Sequence, residues 1–252
     1  MTAPEAVVHH SSAPGPEAGT PTALRVLTWN IEFATHTLRA TRAIEQQTAE
    51  EHADVVLLQE MDERGTAEIA DHLGLNYAYV ALSVHPRSDR NFGNAILSPW
   101  PLSGVEVVPL PHTAAIQGQP RAALGATVEV ASGSVRAFSV HTETPVLSHR
   151  RRLRQFVTIG EAVDQWTVSP VVVGGDFNTA SQRSVRAVTG ELARRGLHRV
   201  SAELGPTFRR GGRSFSLDHV FARGLALAEA ELLVDHDASD HDAIRVTLVH
   251  TH

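Results

Sequence analysis

Five short polar segments hold the residue types that can do chemistry: Trp29-Asn30, Gln59-Glu60, Val140-His141-Thr142, Gly174-Gly175-Asp176-Phe177-Asn178 and Ser239-Asp240-His241. Each closes or follows an apolar run, and strand ends are where an α/β protein gathers its reacting groups. Together they supply carboxylates, carboxamides and two histidines. Hard cations such as Mg2+ take oxygen ligands and keep several waters, so one or two carboxylates and a substrate phosphate suffice to hold one. The inventory therefore suits metal-assisted hydrolysis of a phosphate ester. Glu60, Asp176 or Asp240 taken alone reads as a solvated strand terminus, because charged side chains are mostly exposed. All three recur beside polar partners, and that recurrence points to a shared site.

Asn30 can offer a carbonyl oxygen to a metal and an amide to a neighbouring carboxylate; alone it would be a turn residue. Gly174-Gly175-Asp176-Phe177-Asn178 is the most specific segment. Its glycines allow close backbone approach after a buried strand, and Asp176 and Asn178, two apart, can face one pocket. A carboxylate there can orient water and an amide can hold a phosphate oxygen. His241 is an acid/base candidate, and Asp218 is the carboxylate expected to fix its tautomer. His141 is placed to donate to a phosphoryl oxygen, with a core histidine as the alternative. His219 reads as structural and His236 as solvated. Arg150, Arg151, Arg152 and Arg154 open a helix, where cations oppose the dipole, which hints that some face phosphate.

The elements that must position these groups follow from pattern. Leu24–Asn30, Asp54–Glu60, Tyr77–Leu82, Ala95–Ser98 and Val105–Val108 read as strands. Ala122–Val130 and Val135–Thr142 read as a hairpin, and Pro170–Val173, Leu217–Phe221, Leu225–Val234 and Ala243–Val249 as later strands. Helices are expected over Thr37–His52, Glu68–Leu73 and Ser148–Trp166, with Ser148 as N-cap, and from Ser181 to about Arg195. The continuous runs Val55–Leu58 and Val171–Val173 call for burial on both faces. Two mixed sheets packed face to face, with helices outside, meet that demand.

The chain has 252 residues and a net charge of −6. It contains no cysteine, which excludes disulfides, thiolate zinc sites and thiol nucleophiles. It also contains no lysine, which excludes Schiff-base chemistry and a Walker-type phosphate lysine. The acidic balance argues against an all-over nucleic-acid-binding surface but leaves room for a local basic groove. Residues 1–23 read as a disordered leader and 24–252 as one domain. With no signal or apolar span recognised, a cytoplasmic monomer is the default expectation.

With these residues in view, the chain resembles the endonuclease/exonuclease/phosphatase superfamily over residues 24–250. The five motifs occur in the family's order. Gly93-Asn94-Ala95-Ile96-Leu97-Ser98, Arg152 with Gln155, and Pro206-Thr207-Phe208 ahead of Leu217-Asp218-His219 match as well. The resemblance implies an α/β fold, a four-layer α-β-β-α sandwich of two mixed β-sheets. It implies Mg2+, with Mn2+ as a substitute, held by Asn30 and Glu60 with Asp240 close by. Asp176 would position or activate water and Asn178 would bind phosphate. His241, oriented by Asp218, would act at the scissile phosphate, and His141 would stabilise the transition state. Asn94 and Arg152 would contact the substrate phosphate. Histidine at 141 is similar to the deoxyribonuclease, sphingomyelinase, deadenylase and inositol-phosphatase branches, not to the abasic-site enzymes. Asp242-Ala243 departs from the family's usual continuation with proline. The expected activity is phosphodiester hydrolysis, with nucleic acid as the first substrate class. The rivals are a phosphatase or lipid phosphodiesterase and a non-catalytic binding module.

Overall fold

The computed structural model describes residues 8–10, 15, 23–48, 53–84, 89–115, 118–167, 170–235 and 237–251. In chain order the elements begin with β1 (Val8–His10), β2 (Ala23–Asn30), α1 (Thr37–Thr48), β3 (Val55–Met61) and α2 (Glu63–Leu73). Next come β4 (Asn76–Val84), β5 (Asn91–Ser98), β6 (Leu102–Pro109), β7 (Ala122–Val130), β8 (Gly133–His141), α3 (His149–Asp164) and β9 (Val171–Asp176). The rest are α4 (Gln182–Ala193), β10 (His198–Arg199), β11 (Phe208–Arg210), β12 (Arg213–Phe215), β13 (Asp218–Arg223), β14 (Leu225–Leu233) and β15 (Ala243–His250). One sheet runs β1-β4-β5-β3-β2-β15-β14, the second β10-β13-β9-β8-β7-β6, and β11-β12 forms a separate ribbon. Both large sheets are mixed. Each holds one parallel pair, β2 with β3 and β8 with β9, among antiparallel neighbours.

Three apolar clusters define four layers. Between the sheets, Val26, Val55, Leu57, Val80 and Ile96 meet Leu124, Val135, Ala137, Val172 and Val220. Outside the first sheet, Leu27, Trp29, Val56 and Leu58 pack with Ala40 and Ile44 of α1 and Ile69 and Ala70 of α2. Outside the second, Phe138, Val140, Val171, Val173 and Phe221 pack with Phe156, Ile159 and Val163 of α3 and Val188 and Leu192 of α4. Alternate residues of β2, β3 and β9 thus enter different clusters, which is why these strands are apolar without interruption.

Strand parity then decides what lines the open end of the space between the sheets. Val26 and Thr28 face inward, so Asn30 does as well. Val172 and Gly174 set Asp176 inward, Ala137 and Ser139 set His141, and Val220 and Ala222 set Asp218. Glu60 shares its parity with Val56 and Leu58 and would point outward. A bulge in the β3–β5 pairing between Gln59 and Met61, with Glu60 at φ 59°, turns it back. Bulges re-aim side chains in this way beside active sites, and a left-handed residue other than glycine costs roughly 1–2 kcal/mol.

Polar ties lock the sheets together near that end. Gln59 Nε2 donates to Ser139 Oγ at 3.0 Å, and Ser139 Oγ donates to Leu58 O at 2.9 Å. Asn94 Nδ2 donates to Ala122 O at 2.9 Å and Ser139 O at 3.3 Å. Gly174 permits the close approach of the sheets, and Gly175 the tight pairing of β9 with β8. A Cβ on Gly174 would lie 2.7 Å from Leu57 Cδ1, and one on Gly175, at φ 148°, 2.0 Å from Val140 O.

Several local expectations are corrected. Helix α2 begins at Glu63 instead of Glu68, because Asp62 caps it, its Oδ1 accepting from Gly65 N at 2.6 Å. Ser148 precedes α3 but makes no side-chain capping bond. Ser181 does cap α4, its Oγ accepting from Ser184 N at 3.2 Å. Of the helix expected to reach His52, residues 49–52 lie outside the described residues, as does His236. Within the leader, Val8–His10 pairs antiparallel with β4.

Two substitutions test the packing in opposite directions. Gly175→Ala should lower stability by about 3 kcal/mol or more through steric and backbone strain. Gly190→Ala, on the exposed face of α4 with open space around it, should raise stability by about 1 kcal/mol. Thermal and urea denaturation of both variants checks the pair.

Candidate active site

Residues from both sheets meet at one point. Asn30 Nδ2 donates to Glu60 Oε1 at 3.2 Å and to Asp176 Oδ2 at 3.1 Å, while its Oδ1 accepts from Glu32 N at 3.2 Å. Asp176 Oδ1 accepts from Asn178 N at 2.7 Å. Asn178, at φ 50°, turns its amide back to Thr142 O at 3.0 Å and Asp176 Oδ2 at 3.4 Å. His141 Nε2 lies 3.5 Å from Asp176 Oδ2 and 3.8 Å from Glu60 Oε1. The structure thus brings Asn30, Glu60, His141, Asp176 and Asn178 together.

The opposite wall comes from the C-terminal third. His241 Nδ1 lies 2.8 Å from Asp218 Oδ2, which also accepts from Thr207 Oγ1 at 2.5 Å. Backbone ties hold the His241 loop: Trp29 Nε1 donates to His241 O at 2.8 Å, and Ser239 Oγ to Asn30 O at 2.6 Å. Asp240 is the exposed member, its Oδ1 4.0 Å from His241 Nε2. Asp176, Asp218 and His241 place ligand-capable atoms within 4.8 Å of one another.

Burial and mutual charge set the protonation of this cluster. Burial pushes the Asp176 carboxyl up to about 7, with the Asp218 and Glu60 carboxylates adding to the rise and His241 and the Asn178 N–H opposing it. Burial likewise raises Glu60, against the pull of Arg121, His241 and the Asn30 amide. Burial opposes the His241 imidazolium, but Asp218, by charge and hydrogen bond, with Asp176 and Asp240, holds its pKa up at about 10. His141 is driven the other way, well below the usual imidazole range, by burial and then by Arg121 and His241. One histidine is therefore a cation and the other neutral at pH 7.

A hard divalent cation fits these residues. Glu60, Asp176 and Asp240 offer carboxylate oxygens, and Asn30 would add its Oδ1 once that oxygen turns from Glu32 N toward the site. Two of the carboxyls are held up in pKa by being buried together, which a nearby cation would relieve.

Two expected phosphate contacts have other occupations. Arg152 is buried. Its Nη2 donates to Phe177 O at 2.9 Å and Asn178 O at 2.6 Å, so it holds the turn that presents Asp176. Asn94 spends its amide on the inter-sheet carbonyls described above. Arg121, Thr207 and Glu143 were not singled out as site residues by the sequence. Arg121 is buried with Nη1 3.0 Å from both His141 ring nitrogens, and its Nη2 lies 3.8 Å from Glu143 Oε1. Tertiary structure brings Arg121 and Thr207 to the site, Thr207 lying inside Pro206-Thr207-Phe208, whereas Glu143 follows directly on Val140-His141-Thr142. His219 lies on the outer face of β13, 2.7 Å from Thr179 Oγ1 and packed on Phe177 and Phe221.

The fold is that of a known group of proteins. The chain matches the Endonuclease/Exonuclease/phosphatase family over residues 27–241 and belongs to it. A family member from Beutenbergia cavernae superposes with a TM-score of 0.76 at 24% identity, covering 91% of this chain and 72% of that one. D. rerio TDP2, solved with a single-strand DNA product, superposes with a TM-score of 0.71 at 18% identity, covering 90% and 99%. A UPF0294 protein of Vibrio cholerae is 32% identical over 130 residues, 50% of this chain and 44% of that protein. The match thus spans less than half the length of that curated relative. Among the described residues no helix is long and apolar enough to cross a membrane.

His219 provides a pH test. Burial, with Arg199 adding, pushes its pKa down to about 3 from the 6.5 of an unfolded chain. Between about pH 3 and 6.5 the unfolded state binds the extra proton, so stability falls with acid in that window at up to about 1.4 kcal/mol per pH unit. Above it the residue adds no slope. His219→Asn should flatten the difference, read as urea midpoints of both proteins at pH 4.5, 5.5 and 7.5.

Proposed function

We propose that the protein is a divalent-metal-dependent phosphodiesterase acting on nucleic acid. The observation that carries this reading is the Asn30 amide bridging the Glu60 and Asp176 carboxylates between two sheets, with the Asp218–His241 pair facing them. Asn30, Glu60 and Asp240 would hold Mg2+ or Mn2+. When bound, the ion supplies charge stabilisation to a phosphoryl oxygen.

Asp176 is the group suited to water. The Asn178 N–H and the Asn30 amide fix its two oxygens, so the carboxylate can orient an attacking water. His241 carries a positive charge and is fixed through Nδ1 by Asp218, so its Nε2 can donate to a phosphoryl oxygen as charge builds there. Neutral His141, with Arg121 against its ring, adds a second donor from the opposite wall. Arg152 keeps the Asp176–Asn178 turn in place through backbone carbonyls. The single-strand DNA product bound by D. rerio TDP2 supports nucleic acid as the first class to test.

With Mg2+ present, the wild type should cleave bis-p-nitrophenyl phosphate and a single-stranded oligonucleotide, and EDTA should abolish both. Asp176→Ala and His241→Ala should each lower kcat by about 10²-fold or more. Full hydrolysis by Asp176→Ala would sink the assignment. Cleavage of a phosphoinositide or sphingomyelin with none of nucleic acid would move it to the lipid branch.

A further inference from the structure

The β11–β12 ribbon stands apart from both large sheets, and its root rests on the site. Phe208 forms an isolated bridge with His241, and the two rings lie 4.8 Å apart. Asp242 N donates to Thr207 O at 2.7 Å, and Arg209 forms an ion pair with Asp242. The departure at Asp242-Ala243 thus has a local use: Asp242 fastens the ribbon to the loop that presents His241. The tip is Gly211-Gly212, at φ 57° and 72°, where a two-residue hairpin turn needs left-handed residues.

Register places the charges. Phe208 opposes Phe215, Arg209 opposes Ser214 and Arg210 opposes Arg213. Directly opposed residues share a face, and so do residues two apart. The face bearing Phe208 and Phe215 therefore also bears Arg210 and Arg213, about 6.8 Å farther along the strands. Arg209 lies on the other face, where Asp242 meets it. Arg210 and Arg213 are exposed and have no carboxylate partner among the described residues. Like charges directly opposed destabilise a ribbon, and in a chain of net charge −6 the pair is not part of a general basic surface. An anion seated between the guanidiniums removes the repulsion, since planar guanidinium forks match phosphate.

We infer that the Arg210–Arg213 face of this ribbon is a second phosphate-binding subsite, taking a backbone phosphate of a single polynucleotide strand whose scissile phosphate lies at His241. The inference rests on the phosphodiesterase reading above. Half-buried Phe208 and Phe215, 6.4 Å apart, lie between the reacting centre and the arginines. Aromatic faces beside a cationic track are what an unpaired strand uses, bases stacking while phosphates pair. A bilayer fits less well: among the described residues the exposed large apolar side chains are Leu38, Val84, Val146, Leu227 and Val234, none of them on the ribbon.

The test is Arg210→Ala/Arg213→Ala in the full chain, with a 20-nucleotide single-stranded DNA and bis-p-nitrophenyl phosphate as substrates and Mg2+ present. The variant should hydrolyse the small diester like wild type. On the oligonucleotide its KM should rise about tenfold at low salt with kcat little changed. The slope of log(kcat/KM) against log[salt] should lose about 0.7, for one phosphate contact on a single strand. Unchanged KM and slope on the oligonucleotide overturn the subsite, as does an equal loss on both substrates. Should the wild type cleave neither, the phosphodiesterase reading fails, and oligonucleotide binding by fluorescence anisotropy still decides the subsite. Weaker binding by the variant supports it and equal binding overturns it. Arginine-dependent binding to phosphatidylserine vesicles without oligonucleotide binding would assign the ribbon to a membrane and overturn it as well.

Discussion

A single carboxamide joins the two halves of this molecule where the chemistry lies. Asn30 ends the first long strand of one sheet, and its Nδ2 spans the gap to Glu60 on the same sheet and Asp176 on the other. That contact requires the sheets to be close at their open end, and glycine at 174, which meets Leu57 of the other sheet, makes them so. It also requires both carboxyls to be buried, which raises their pKa values and makes a cationic His241 and a hard divalent ion favourable neighbours. The resting charge pattern of the site follows from the packing of two sheets.

The same packing explains how a mostly aliphatic framework aims polar groups without loops of its own. Parity along β2, β8, β9 and β13 delivers Asn30, His141, Asp176 and Asp218 to one side. Glu60 is the residue parity would misplace, and there the backbone departs from regular geometry with a left-handed bulge. Positive φ at Asn178 does comparable work in the turn after β9. Strain of this kind gathers at functional sites because the surrounding core holds it in place, here through Arg152 on the carbonyls of Phe177 and Asn178.

Much of this was legible in the sequence. The unbroken runs Val55–Leu58 and Val171–Val173 announced strands buried on both faces, and Gly174-Gly175-Asp176-Phe177-Asn178 announced a backbone that something approaches closely. The pairing of Asp218 with His241 was expected and is present at 2.8 Å. Other features depend on distant partners. Nothing near Glu60 signals a bulge. Arg121 becomes notable only because β7 is laid beside β8, bringing it against His141. Arg152 looked like a phosphate ligand because arginine suits phosphate; that it folds inward onto two carbonyls depends on where α3 packs. The early start of α2 was readable in principle, since Asp62 is a good capping residue three positions before Gly65.

The bond from the Trp29 indole to the His241 carbonyl joins residues 212 positions apart. Strand β15 sits between β2 and β14, so the first long strand waits for the last one to cover its edge. During synthesis that edge stays open until Ala243–His250 has emerged. A nascent polypeptide therefore carries Asn30, Glu60 and Asp176 long before His241 joins them. The site should be completed late and abruptly, once β15 is available to pair, and an uncovered β2 edge is where a stalled or shortened chain would seek the wrong partner.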